Sequence, residues 1–380
     1  METIKEEARH HASTRKLCFV THEFMFFRVF IFNLMASLAK TFDVTLITDT
    51  SKAKSEDIEL ALSKNITVKH LNKRTAQGAI RYLYNLRKTI SEVKPEHIFF
   101  ATVEVSIFGA LSAKFKAKCK THFIITGTGP ELFSNKMRHK FLRKIYLIIF
   151  KISGLKKNTD FIFQNIEDKK FFLKSGFTKP NNSRVIGHFG INLTDNIKNF
   201  TKSPIAFFVV ARLVRSKGLM ELFEASDTLS KLGLNFQIFI AGNESLDSTD
   251  ALSLSERGVL DNSRNITYLG HIDYDDMYDY YQKFDVFILP SHREGVSTAA
   301  LEAAANGMPL IVSDAPGCIE CHNNNGFVFK VGDSEDLSRA MRYFIEAPEL
   351  VKKFSQQSNE HIKQNYSISL MRDAYLKIIG

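Results

Sequence analysis

The sequence predicts an α/β protein built from two doubly wound, Rossmann-like domains facing a central cleft. Three observations lead there. The chain has 380 residues, 44% of them hydrophobic, enough for two packed cores rather than one. Short, β-rich, almost uniformly apolar segments recur at helix-length intervals in each half, as strands buried on both faces of a parallel sheet do. The alternation is broken once, near Lys179 to Ser203, by a stretch rich in Asn, Pro, Gly and Thr that reads as an interdomain linker.

Taken in order, residues 1–15 are polar, mixed in charge, and read as a disordered head. Residues 16–185 form the first predicted domain. It opens on KLCFVT (Lys16 to Thr21), a helical stretch from about Phe26 to Lys40, and DVTLIT (Asp43 to Thr48). HIFFAT (His97 to Thr102), HFIIT (His122 to Thr126) and FIFQN (Phe161 to Asn165) are further strands. Asn165 stands where a helix N-cap belongs, with Glu167 and Asp168 in the favourable first turn. Residues 186–365 form the second domain. Its strands are IAFFVVA (Ile205 to Ala211), FQIFIAG (Phe236 to Gly242), ITYLG (Ile266 to Gly270), VFILP (Val286 to Pro290) and PLIVSD (Pro309 to Asp314). Residues 366–380 read as a terminal helix packing back on the first domain. In such sheets ligands bind beyond the C-terminal ends of the strands, so the chemistry belongs in those loops.

No segment approaches the roughly 18 uninterrupted apolar residues of a spanning helix. The head lacks the apolar region of a signal peptide, so a cytoplasmic location is expected. The net charge of +10 favours an anionic partner. Lys136 to Lys157, KMRHKFLRKIYLIIFKISGLKK, concentrates the cations: Lys140, Arg143 and Lys144 interleave with Phe141 and Ile145. A basic amphipathic helix of this kind suits an anionic membrane surface; the plainer reading is a helix with one solvated basic face and one core face. No Trp and no aromatic-studded RNA-binding signature is present, which ranks nucleic acid low. Four cysteines in a chain of this length imply no disulfide framework. Cys318-Ile-Glu-Cys321-His322 matches a haem-attachment string, but it falls inside a block better explained otherwise.

Two constellations carry chemistry. Ala211 to Gly218, ARLVRSKG, joins a strand to a helix, where unpaired N–H groups and the helix dipole make an anion site. Arg212 and Lys217 add a forked donor and a point charge suited to a diphosphate. The second is LPSHREGVSTAALEAAANGMPLIVSDAPG, Leu289 to Gly317. Glu294 lies in a loop, Glu302 inside a helix beginning near Ser297 or Thr298, so the two carboxylates reach different depths of a site for a polyol. The backbone from Gly295 through Val296 and Ser297 to Thr298 offers further donors. Glu302 is flanked by Ala299, Ala300, Leu301, Ala303, Ala304 and Ala305, and a carboxylate on so apolar a helix needs partners. Asp273-Tyr274-Asp275 looks like a metal-binding D-x-D, but its place between strand and helix makes Asp273 an N-cap.

The Arg-Leu and Lys-Gly pairs, the Glu-x7-Glu block, the Asn-Gly-Met-Pro turn and the Asp-Ala-Pro-Gly-Cys end resemble family 4 of the retaining glycosyltransferases. This is a GT-B group that builds bacterial surface polysaccharides such as O-antigen. GHFGIN (Gly187 to Asn192), FIFQN and the ITGTGP loop are weaker family-like pieces. The resemblance implies that Arg212 and Lys217 hold a donor diphosphate, with Glu302 on ribose hydroxyls and Glu294 on the transferred sugar. Gly242, His271 and Ile272 would lie against phosphates and nucleobase. Two departures stand out: THEFMFFR (Thr21 to Arg28) replaces a Gly-rich loop, and Thr126-Gly127-Thr128-Gly129 replaces a loop that often carries a His. The latter becomes the acceptor-side loop, its glycines letting backbone approach a ligand.

The expected activity is transfer of a hexosyl or N-acetylhexosaminyl group, with retention, from a nucleotide-sugar (UDP the commonest choice) to a hydroxyl of a lipid-linked or polysaccharide acceptor. The two cations replace a metal, and no cofactor is expected. The expected seat is peripheral, on the cytoplasmic face of the inner membrane. A sugar-nucleotide epimerase of the same fold, or a catalytically silent donor-binding subunit, are the rival readings.

Overall fold

The computed structural model describes residues 15–72, 78–112, 119–127, 137–154, 158–194, 196–198, 204–246 and 248–380. The chain forms two compact units. One runs to Gly190 and takes back Ile368–Gly380; the other is Ile191–Ser367.

The first unit is built on seven parallel strands: β1 (Lys16–Val20), β2 (Asp43–Thr48), β3 (Ile66–His70), β4 (His97–Ala101), β5 (Lys120–Ile125), β6 (Thr159–Phe163) and β7 (Ser183–Val185). Their order is β3-β2-β1-β4-β5-β6-β7. The uniformly apolar strands are the inner ones, β4 being buried at every position. The edge strands β3 and β7 are half exposed, so they lack that signal, and β7 lies within the stretch that reads as linker. Helices cover both faces. On one, Leu34 and Met35 pack with Met371, Tyr375, Ile378 and Ile379 of the terminal helix Ile368–Ile379. On the other, Phe150 of the Met137–Gly154 helix enters a phenylalanine cluster, 5.8 Å from Phe123 and 5.7 Å from Phe161 between ring centroids.

Several local expectations can be checked directly. Asn165 is the N-cap of the Ile166–Lys174 helix, its Oδ1 accepting from the Asp168 N–H at 2.8 Å. The first helical stretch begins earlier than Phe26 and is irregular: Phe24–Phe26 passes through a π segment, Phe27–Ile31, before Phe32–Leu38. Arg15, read from the sequence as part of the head, belongs to the first unit. Its guanidinium donates to the carbonyls of Gly380 at 2.6 Å and Ile379 at 2.7 Å, tying the end of the terminal helix to the start of β1. His10, His11 and the rest of residues 1–14 lie outside the described set.

The second unit holds six parallel strands: β8 (Ile205–Val210), β9 (Phe236–Ala241), β10 (Ile266–Gly270), β11 (Val286–Leu289), β12 (Leu310–Ser313) and β13 (Gly326–Phe329). Their order is β10-β9-β8-β11-β12-β13, with Phe208 beside Phe287 where β8 meets β11. The chain winds outward from β8 in both directions, so the β8–β11 boundary is the topological switch point. Loops leaving those strands diverge there and open a crevice.

Candidate active site at the switch point

The residues singled out from the sequence converge on this crevice. After β8 the chain runs through Arg212 into a 3₁₀ turn, Arg215–Lys217, and then the Leu219–Lys231 helix. Gly218 joins turn to helix at φ +70°, and a Cβ there would lie 2.0 Å from the carbonyl oxygen of Pro290 at the end of β11. Only glycine lets the two loops approach this closely. The turn is pinned from its other side: Ser216 N–H donates to Asp250 Oδ2 at 3.0 Å, and Arg215 pairs with Glu256 at 2.6 Å. Lys217 is thereby aimed at the loop after β11, where its Nζ donates to Glu294 Oε1 at 2.5 Å. Both side chains are largely shielded, 21% and 17% exposed, so the pair keeps more of its strength than a surface bridge. Arg212 is exposed and, among the described residues, makes no ion pair, which leaves its guanidinium available to an anion.

The Glu294 loop is held from behind. Glu294 N–H donates to the Pro316 carbonyl at 2.9 Å. Cys318 Sγ donates to Ser291 O at 3.5 Å and Cys321 Sγ to Ser297 O at 3.8 Å. Both thiols are buried, and burial pushes Cys318 up to about 12. They brace the loop as small hydrophobic donors, in keeping with setting aside haem attachment. Among the donors expected from Gly295 to Thr298, Ser297 must be corrected. Its N–H is bonded to Gly317 O at 3.3 Å, and its side chain caps the Thr298–Ala305 helix by accepting from Ala300 N–H. Val296 is buried as a core residue of the unit.

Glu302 lies inside the Thr298–Ala305 helix. Its helix neighbours Leu301, Ala303, Ala304 and Ala305 are buried, while its own carboxylate is partly buried. The partners it needs are phenols: Tyr274 Oη donates to Oε1 at 3.0 Å and Tyr281 Oη to Oε2 at 3.2 Å. Burial pushes the carboxyl up to about 7, against the two hydrogen bonds that pull it down. In the sequence Tyr281 stood out only through the aromatic density of MYDYYQK, and Tyr274 only as the middle residue of Asp273-Tyr274-Asp275.

The remaining predicted contacts stand at the ends of neighbouring strands. Gly242 closes β9 at φ +149°, its missing Cβ making room for Ala211 O, and its N–H donates to Gly270 O at 2.8 Å. His271 and Ile272 follow β10; His271 is exposed, with Nε2 3.3 Å from Asp273 Oδ1. Asp273 does occupy the N-cap position of the Tyr274–Asp276 turn, but without a side-chain cap bond; its carboxylate turns to His271. One further pair was missed: His292 Nε2 lies 2.7 Å from Glu221 Oε1, linking the Glu294 loop to the first turn of the Leu219–Lys231 helix. Its two members are 71 positions apart and carry no local signature.

In the first unit, Thr126 and Gly127 (φ 116°) follow β5, while Thr128 and Gly129 lie outside the described residues. On the Met137–Gly154 helix, Phe141 is 66% exposed, Ile145 36% and Ile148 60%, with Ile152 beside them. Lys144 is exposed and Arg143 partly so, while the side chain of Lys140 lies outside the described set. Ile149, at helical spacing from Phe141 and Ile145, instead packs on the core beside Tyr146 and Leu147.

The Lys217–Glu294 pair thus stands at the switch point of a parallel sheet, where doubly wound folds take their ligands. Residues 190–361 match the family model described as Glycosyl transferases group 1. Among curated proteins, the chain is 28% identical over 317 residues to the N,N'-diacetylbacillosaminyl-diphospho-undecaprenol alpha-1,3-N-acetylgalactosaminyltransferase of Campylobacter jejuni, spanning 79% of this chain and 80% of that one. It is 26% identical to the capsular polysaccharide biosynthesis glycosyltransferase CapH of Staphylococcus aureus, over 74% of this chain and 75% of that one. Among solved structures, Anabaena Alr3699/HepE in complex with UDP and glucose superposes with a TM-score of 0.75 at 15% identity, covering 96% of this chain and 99% of that one. WaaG, a glycosyltransferase involved in lipopolysaccharide biosynthesis, gives a TM-score of 0.67 at 12% identity, over 96% and 99% of the two chains. The fold is GT-B, and the matched segment with its relatives supports glycosyltransferase identity.

Proposed function

We propose that the chain is a retaining glycosyltransferase of family 4 that moves a hexosyl or N-acetylhexosaminyl group from a UDP-sugar to a hydroxyl of a lipid-linked glycan, in the assembly of a surface polysaccharide such as O-antigen. The observation that carries this reading is the Lys217–Glu294 pair at the β8–β11 switch point, with Arg212 on the same loop as Lys217 and Glu302 on the helix that follows the Glu294 loop. Lys217 and Arg212 bind the donor diphosphate and stabilise the charge that builds on it as the sugar C1–O bond breaks, a preorganised electrostatic contribution. Glu294 accepts from the sugar hydroxyls, and its contact with Lys217 supports a sugar site adjacent to the phosphate site. Glu302 accepts from the ribose, while Gly242 and the His271–Ile272 turn border phosphate and base. The new C1–O bond forms on the face the leaving group vacates. The acceptor's proton passes to the departing phosphate oxygen, so no side-chain base is required.

The acceptor assignment draws on the Campylobacter relative, whose name specifies a diphospho-undecaprenol-linked sugar. It also draws on the exposed apolar stripe of Phe141, Ile145, Ile148 and Ile152 with Lys144 and Lys151 beside it, which suits peripheral docking on an anionic membrane, on the cytoplasmic face. The Thr126–Gly127 loop is assigned to the acceptor side.

The test is turnover. Purified protein incubated with UDP-sugars and a lipid-diphosphate-linked acceptor should release UDP only when both are present, giving a product whose anomeric centre matches the donor by NMR. An inverted anomer overturns the retaining assignment. Conversion of donor without acceptor establishes an epimerase, and donor binding without turnover a silent subunit.

A further inference from the structure

We propose that Tyr281, aided by Tyr274, is the positioning residue that fixes the Glu302 carboxylate for the donor. This rests on the assignment of Glu302 to the ribose and deepens it. A glutamate carries three rotatable bonds, and its carboxylate can be held in one plane only by contacts to both oxygens. Here each oxygen takes one phenol, Tyr274 on Oε1 and Tyr281 on Oε2, from two separate elements. Each oxygen keeps a free lone pair for a hydroxyl of the ligand.

The two phenols are not equivalent. Tyr281 is 2% exposed in the Met277–Lys283 helix, its ring 5.9 Å from Phe208 of β8 and 6.4 Å from Phe287 of β11. The central strands of the sheet therefore set where its hydroxyl points. Tyr274 sits partly exposed in the turn just after His271 and Ile272, so it couples Glu302 to the segment assigned to the nucleobase.

Protonation adds a second consequence. Burial pushes Tyr281 well above the ordinary phenol range, so it stays a donor throughout the working pH range. Burial also pushes Glu302 up to about 7, and the phenol hydrogen bonds oppose that rise. Among the described residues, the neighbouring Gln282 and Asn306 carry no charge. Gln282 donates to Asn306 at 2.8 Å, and Asn306 returns to the main-chain carbonyl of Glu302 at 2.9 Å. Among the described residues no ion pair reaches Glu302. Ribose hydroxyls donate, so the site needs the carboxylate ionised; affinity falls as pH drops through about 7. Removing one phenol removes a stabiliser of the charged form, and the fall moves to higher pH.

UDP binding, measured by titration calorimetry from pH 6.5 to 9 on the full chain, tests this. Tyr281→Phe keeps the ring packing and should weaken UDP binding about 10-fold or more at pH 7, from the loss of one hydrogen bond to a charged group. Most of that loss should be recovered by pH 9, and Tyr274→Phe should move in the same direction. Glu302→Gln should weaken binding at every pH and flatten the profile. If Glu302→Gln weakens UDP while both tyrosine variants bind with the wild-type profile, the positioning role is overturned and the ribose assignment stands. Unchanged UDP binding in Glu302→Gln overturns the ribose assignment itself. Thermal melting accompanies each variant. Should Tyr281→Phe fail to fold, Tyr274→Phe decides alone, since its side chain is partly exposed: a profile shifted to higher pH supports the role and a wild-type profile overturns it.

Discussion

The Thr298–Ala305 helix and the Met137–Gly154 helix are both apolar over most of their length, and they dispose of that surface in opposite ways. In the first, six of eight residues are buried, and Glu302 is the lone carboxylate. In the second, Tyr146, Leu147, Ile149 and Phe150 face the core while Phe141, Ile145, Ile148 and Ile152 stand out from it. These solvated apolar side chains recur at helical spacing beside Lys144 and Lys151 and are not part of a core stripe. The difference teaches where a polar group on an apolar helix signals function. On a buried helix it must be partnered and held, as Glu302 is; on an exposed face it costs little and guides association.

The sharpest way to break this comparison is to place one new carboxylate on each helix. Ala304→Asp buries an unpartnered charge and should cost about 4 kcal/mol or more, unfolding the second unit in urea titrations. Ile148→Asp on the exposed face should change stability by about 0.5 kcal/mol at most. Equal losses would mean that the two helices do not differ as described.

Association should show the reverse sensitivity. Each cation near an anionic surface contributes roughly 1 kcal/mol, so replacing Lys144 and Lys151 with Gln should weaken binding to phosphatidylserine-containing liposomes about 30-fold. The wild-type interaction should itself weaken as salt rises. Wild-type protein that ignores such liposomes at low salt would remove the docking role from this helix and make a soluble acceptor the better assignment.

The Glu302 carboxylate should also be visible in stability. Glu302 is held near 7 in the folded protein, above the ordinary range of an unfolded glutamate, so between those values the folded state binds more protons. Stability from this group is therefore present at low pH and lost as pH rises through about 7. Glu302→Gln should remove that dependence, gaining on the order of 1 to 2 kcal/mol over wild type at pH 8.5 while UDP binding falls. Parallel stability–pH curves for the two proteins would show that the carboxylate is not held as described.

A substitution at the turn before the Leu219–Lys231 helix sharpens the site itself. Gly218→Ala places a Cβ against Pro290 O at a positive φ, and should cost about 1 to 2 kcal/mol. By moving Lys217 away from Glu294, it should weaken UDP binding more than it lowers stability. Thermal melting and calorimetry on the same sample separate the two effects.

Much of this molecule was legible along the chain. The central strands declared themselves because burial on both faces demands continuous apolar side chains, and β4 and β11 are buried at every residue. Asn165 and Ser297 declared their helix starts because a cap is a local bond between residues three apart. Glu302 stood out because a carboxylate within an apolar helix is costly without a partner, Arg212 and Lys217 because they are cations between an apolar strand and a helix start, and Glu294 because it lies in the loop after another such strand. The edge strands β3, β7 and β13 gave no such signal, having half-exposed faces and few residues. What the tertiary structure alone decided is which of those groups meet. Lys217 reaches Glu294 across 77 residues, Tyr274 and Tyr281 reach Glu302 across 28 and 21, and His292 reaches Glu221 across 71. Each contact follows from the order in which parallel strands are laid beside β8. Strand order is set by long-range packing of whole helices and sheets, and no local spacing in a sequence encodes it.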